Sequence, residues 1–146
     1  MSFPIDINQF IKLKLTLSVN LAIEELEVLS KNIELMRDAI VATTAFARAK
    51  GIGGHTGGPY DIVPEAIIVD ALREGGTPIH DEFFDEAGHR SALQYVRGAI
   101  RGKLDPEKLM HYREYGSGLA GHPESELLDC IDFSTGRLGH AAGHVN

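Results

Sequence analysis

Among the histidines that directly follow a glycine are Gly54-His55, Gly88-His89 and Gly121-His122. Each falls on a glycine-marked turn beside a helical pattern. Imidazole exchanges protons near neutral pH and donates hydrogen bonds to anionic oxygens. Any one of the three could be an ordinary exposed histidine. Their repetition on similar turns instead suits a site that stabilises an anionic intermediate or holds a phosphate oxygen. Zinc is the competing chemistry. His140 and His144, four apart on one helical face, could supply two ligands. No Glu stands beside His140 as a metalloprotease helix requires, and Cys130 is the only cysteine. No serine sits in a nucleophile-elbow pattern, and no glycine-lysine-serine phosphate loop occurs.

The elements that must position these histidines can be read from periodicity and punctuation. All 16 glycines and all 7 histidines lie from Gly51 onward. Loops on a rigid scaffold carry most binding chemistry, so the site is expected after residue 50. Before it, Ile11, Leu13, Leu15, Leu17, Val19, Leu21 and Ile23 alternate with mostly polar residues. A period of two predicts a half-buried strand. From Leu26 the spacing turns helical through Leu29, Ile33, Met36 and Ile40. Residues 24–49 therefore read as one helix, or two with a break near Ser30-Lys31-Asn32, stopping at Gly51. The segment Gly51 to Gly58 is glycine-rich and can hardly be regular structure. Its lack of a preceding strand at dinucleotide spacing argues against a Rossmann loop. Further helices are predicted over Pro64–Glu74, ended by Gly75-Gly76, and over Ser91–Arg101, ended by Gly102. Asp105-Pro106-Glu107 is a helix start, and that helix is predicted to reach about Tyr115. Gly136 to Gly143 reads as a turn leading into another helix.

Composition bounds the rest. The 146 residues make one ordinary domain, 43% hydrophobic and 24% charged, which excludes collagen-like, disordered and coiled-coil classes. Fourteen Lys and Arg against 21 Asp and Glu give a formal net charge of −7. Such a chain gains nothing from counterion release on a polyanion, so nucleic-acid binding is not expected. A local anion site remains open. One cysteine excludes a disulfide framework and fits a reducing compartment. No apolar run is long enough for a membrane span, and the N-terminus does not read as a signal peptide. A cytoplasmic protein is the expectation.

Taken in order, these motifs resemble the N-terminal part of transketolase-like, thiamine-diphosphate-dependent enzymes. Gly54-His55-Thr56-Gly57-Gly58-Pro59 resembles that family's Gly-His-Pro-Gly-x-Pro turn. Ala87-Gly88-His89 is similar to its second histidine turn, and Gly121-His122-Pro123-Glu124 matches its Gly-His-Pro-Glu. Thr135-Gly136-Arg137-Leu138-Gly139-His140 resembles Thr-Gly-Pro-Leu-Gly-Gln. The resemblance spans residues 54–140 and extends less closely over 24–50. It implies an α/β fold, of which this chain is the first, mostly helical part of the diphosphate-binding domain. Residues 1–23 would be an N-terminal extension and residues 24–146 the partial thiamine-diphosphate-binding domain.

The resemblance also implies roles. His55 and His122 would be catalytic, facing substrate and thiazolium and moving protons on substrate hydroxyls. His89 would lie near the diphosphate of the cofactor, and Gly136 and Leu138 would form a wall against it. Thiamine diphosphate would serve as electron sink, with the histidines supplying proton transfer and preorganised hydrogen bonds. Mg2+ is implied too, but with no metal ligand from this chain. The family's Gly-Asp-Gly motif and downstream Asn lie past the position of Asn146, and its activating glutamate lies on a separate pyrimidine domain. The chain is thus expected to be a split subunit or a truncated piece that works with the rest of the enzyme. In the family the site forms between two subunits, so a homo- or hetero-oligomer is implied. Sugar phosphates are the implied substrates, exchanging a two-carbon ketol unit.

Departures from the pattern leave alternatives open. Thr56 replaces proline, Tyr60 replaces leucine, Arg137 replaces proline and His140 replaces glutamine. Gly53-Gly54-His55 and the Arg97-Gly98 to Arg113 stretch also resemble homodimeric 2-oxo-acid dehydrogenase E1 enzymes, which would make a 2-oxo acid the substrate. A non-catalytic relative that keeps the fold as an interaction subunit is the other alternative. Its alternating segment 11–23 would be an edge strand awaiting a partner.

Overall fold

One long helix, α1 (Ile23–Ala49), organises the molecule. In this computed structural model, residues 2–17, 20–79 and 85–136 are described. Among the described residues four α-helices follow one another: α1, α2 (Gly57–Asp61), α3 (Val63–Glu74) and α4 (Ser91–Ile100). Short 3₁₀ helices occupy Ile7–Gln9 and Pro106–His111. The described residues contain helices and loops but no strand, in keeping with a portion expected to be mostly helical. Phe83 and Phe84 lie outside the described residues. No helix among the described residues is long and apolar enough to cross a membrane.

α1 is continuous through Ser30-Lys31-Asn32. The Asn32 amide does not compete with its own helix backbone, the usual way asparagine breaks helices. Instead it pairs with the N-terminal segment, accepting from Ile11 N–H at 3.0 Å and donating to Ile11 C=O at 2.7 Å. Glu24 and Glu25 stand in the first turn and Arg48 in the last, matching the helix dipole. From Asn32 to Ala47 one face is buried, through Met36, Ala39, Ile40, Thr43 and Thr44, whereas Ile23 and Leu26 stay exposed.

That face meets α3 through Val63, Ala66 and Ile67, and α4 through Leu93 and Val96. Every residue of α4 from Ser91 to Ala99 is buried. Burial on all sides puts a charge in the core, because Arg97 lies on this helix. Asp70 of α3 takes its guanidinium at 3.0 and 2.6 Å. α3 and α4 end within a residue of the predicted positions, at Glu74 and Ile100.

Two expectations are corrected. Residues 11–17 form no strand, and among the described residues of the alternating apolar set Leu15 alone is buried, with Ile11 and Leu17 exposed at 52% and 80%. An alternation defines a face only when a neighbouring strand completes the ladder. Here the segment is held by isolated bonds, Ile11 to Asn32 and Leu15 N–H to Ala71 C=O at 2.9 Å. The partner-seeking edge strand of the interaction-subunit reading is therefore absent from residues 11–17. The helix begun by Asp105 and Pro106 is a 3₁₀ helix ending at His111, short of Tyr115. The chain bends there so that Tyr112 buries against Tyr95, ring centroids 6.0 Å apart.

Candidate functional site

The loop after α1 carries His55. Thr56, at the position where the resemblance expects proline, donates its hydroxyl to Thr44 Oγ1 of α1 at 2.9 Å. Thr44 passes its own proton to the helix carbonyls of Ile40 and Val41. This chain of hydroxyls fastens the loop by side chains instead of a proline ring. Tyr60 is likewise engaged: Arg37 lies 4.4 Å from its ring centroid and bonds its carbonyl.

The second turn, residues 85–90, is built around Asp85. Its carboxylate is 3% exposed, accepts from Ala87 N–H at 3.0 Å and takes Arg90 in a forked ion pair at 2.5–3.0 Å. His89 Nδ1 lies 2.6 Å from Ala87 C=O and donates to it. Gly88 is left-handed at φ +60°. A Cβ there would lie 2.5 Å from the Gly136 carbonyl oxygen, 3.1 Å from His122 Cδ2 and 3.2 Å from Thr135 Oγ1. Only glycine lets the three segments close on one another.

The third turn hangs from buried hydroxyls. Tyr95 donates to Ala120 C=O at 2.7 Å, and Ser91 donates to Gly121 C=O at 3.1 Å while pairing with Tyr112 at 2.7 Å. Burial pushes the Tyr95 hydroxyl far above the ordinary tyrosine range, with the neighbouring Tyr112 adding to it. Burial raises Tyr112 as well, offset in part by its bond to Ser91. Both phenols therefore stay protonated and serve as fixed donors. Thr135 N–H bonds Pro123 C=O at 3.2 Å, tying the 135–136 segment to this turn.

The three turns meet. The rings of His55 and His89 pack edge to face with centroids 5.1 Å apart. His122 lies against Gly88, on the turn that carries His89. Of the residues singled out from sequence, His55, His89, His122 and Gly136 are thus brought together. Leu138, Arg137, His140 and His144 lie outside the described residues. No group of His, Cys, Asp or Glu among the described residues is placed to hold a metal ion. His111 is elsewhere, on Glu114.

Sequence reasoning missed the residues that hold the turns. Arg113 donates to Gly53 C=O at 2.5 Å and its guanidinium lies against Gly121, so one side chain spans the turns of His55 and His122. Its backbone is left-handed, φ +63°, and its N–H bonds Leu119 C=O at 2.8 Å. Nothing local marks an arginine for that conformation. Asp85 and Arg90, five apart, were visible only as charges, and Ser91, Tyr95 and Tyr112 only as helix or loop residues.

This is a loop-built site on a helical scaffold, and comparison with known proteins gives its class. A family model described as "Transketolase, thiamine diphosphate binding domain" matches residues 32–145. The chain belongs to that family. It is similar to a transketolase of Staphylococcus epidermidis, 34% identical over 112 residues, covering 73% of this chain and 17% of the relative. A transketolase of Staphylococcus aureus is 31% identical over 112 residues, with the same coverage. A probable transketolase of Schizosaccharomyces pombe is 34% identical over 115 residues, covering 73% of this chain and 16% of that protein. The chain therefore spans about a sixth of the length of these relatives. No solved structure matches it.

The residues present suit the family's cofactor. Thr135 Oγ1 is buried without a hydrogen-bond partner among the described residues, beside the left-handed Gly88 and three clustered imidazoles. An unpaired buried hydroxyl calls for a partner. A ligand bearing anionic oxygens would find donors of two kinds here.

Proposed function

We propose that this chain is the N-terminal part of a transketolase-like enzyme that transfers a two-carbon ketol unit between sugar phosphates. The observation that carries the reading is the convergence of His55, His89 and His122 beside Gly136 on three independently anchored turns. Bound thiamine diphosphate would supply an electron sink for the carbanion that carbon–carbon cleavage leaves. His55 and His122, both exposed, would hold and move protons at the substrate's hydroxyl and carbonyl oxygens. His89, with Nδ1 fixed on Ala87 C=O, would present Nε2 toward the diphosphate and, when protonated, donate to it. Gly136, and Leu138 beyond it, would wall the cofactor.

The remaining assignments extend this reading. Residues 1–23 would be an extension, and 24–146 part of the cofactor domain. Mg2+ and its ligands, the cofactor-activating carboxylate and the second subunit would come from outside this chain. The enzyme would be a cytoplasmic oligomer.

Turnover of a ketose phosphate by the full-length enzyme tests the reading. Replacing His122 with Ala is expected to lower kcat by about a hundredfold or more with the fold unchanged by circular dichroism. Full activity in a folded His122→Ala enzyme would contradict it. So would the absence of any ketol transfer with thiamine diphosphate and Mg2+ present.

A further inference from the structure

A second charged pocket lies away from the histidine turns, where the N-terminal segment crosses α1, α3 and α4. It is a cavity of about 130 Å³ whose apolar walls include Phe10, Met36, Ile67 and Ile100. Its charged lining is Lys12, Arg73, Arg97, Arg101 and Lys103 against Asp70 and Glu74. Five of the chain's 14 cationic side chains thus gather in one place on a molecule whose formal charge is −7.

Within this lining the charges divide into two groups. Arg97 is 4% exposed and grips Asp70 through Nε and Nη2, and Arg73 bonds the same carboxylate at 3.1 Å. These three hold α3 to α4. The rim carries Lys12, Arg101 and Lys103, all exposed, against Glu74 alone. None of these three cations makes an ion pair among the described residues. A structural ion pair accounts for the deep charges but not for the rim. Like charges brought to one rim repel, and an anion would relieve that repulsion.

We propose that this pocket binds a small amphipathic anion, a short-chain carboxylate with its apolar body against Phe10, Met36 and Ile67 and its carboxylate among Lys12, Arg101 and Lys103. A few convergent charges over apolar walls is the usual make-up of a small-molecule site. The walls also say what binding would do. Phe10, Lys12 and Leu13 come from the N-terminal segment, and the remaining lining from α1, α3, α4 and the turn that follows α4. That segment is held there by the Ile11 bonds to Asn32 and by Leu15 N–H on Ala71 C=O. Gly75 allows the crossing, since a Cβ there would fall 1.8 Å from the Leu15 carbonyl oxygen. A ligand touching both sides ties the segment to the helices and raises its local stability by mass action. The site shares no residue with the histidine cluster, so it does not depend on the ketol-transfer reading.

Calorimetric titration of the full-length protein with hexanoate tests this, with hexanol and inorganic phosphate as separate titrants. Hexanoate is expected to saturate one site with a Kd below about 1 mM, and both other titrants to bind at least about tenfold more weakly. The surface double variant Arg101→Glu/Lys103→Glu, its fold checked by circular dichroism, is expected to weaken hexanoate at least about tenfold. Hydrogen exchange at the Ile11 and Leu15 amides should slow on hexanoate addition. Unsaturable hexanoate binding, or equal binding to the charge-reversed variant, would overturn the proposal. Phosphate binding as tight as hexanoate, or loss of hexanoate binding in His122→Ala, would place the anion elsewhere and overturn it too.

Discussion

Single atoms decide whether the three turns can meet. Gly88 is the clearest case, because its left-handed backbone and the Gly136 carbonyl 2.5 Å from any Cβ both exclude a side chain. Gly88→Ala is expected to cost about 2 kcal/mol or more in urea unfolding, of which the backbone conformation alone supplies about 1–2. Arg113 poses the opposite case, a left-handed residue kept for its side chain. If the guanidinium rather than the backbone matters, Arg113→Gly and Arg113→Ala will both slow the enzyme. Glycine will nevertheless be the more stable of the two by about 1 kcal/mol. The glycines and histidines of the site were legible because a Gly-His dipeptide is a local signal. The arginine was not, since its conformation is imposed by Leu119 and its partners Gly53 and Gly121 are remote in sequence.

Among elements, helix ends were readable and the N-terminal segment was not. Gly51, Gly75 and the Asp105-Pro106 pair each act within one turn of chain, and α1, α3 and the 3₁₀ helix begin or stop at them. The alternation over 11–23 misled because period two reports a face only where a ladder exists. In its place a single buried amide, Asn32, grips the segment. Asn32→Ala would remove both bonds and leave the Ile11 groups unpaired, at a cost of about 2 kcal/mol. Faster proteolysis within residues 2–17, with α1 and α4 still protected in hydrogen exchange, is the expected result. Loss of protection throughout the chain would show instead that the segment is integral to the core.

For the whole molecule, buried phenols join the core to the site. Tyr95 and Tyr112 have hydroxyls raised above their ordinary range, first by burial, and both help anchor the third turn. The unfolded chain ionises these groups near pH 10, whereas the folded chain holds them neutral. Their stabilisation is therefore complete below about pH 10 and declines as the pH rises above it. Urea midpoints should fall within about one pH unit either side of the free tyrosine value. Tyr95→Phe should be less stable at neutral pH and show a shallower alkaline decline. In the proposed mechanism His55, His89 and His122 form one proton-handling site. A double-mutant cycle on kcat/KM for ketol transfer, using His55→Ala, His122→Ala and both together in the full-length enzyme, tests it most directly. Each single change is expected to cost about a hundredfold or more, and the double change far less than the product of the two. Two small, independent losses that simply multiply would contradict a shared site.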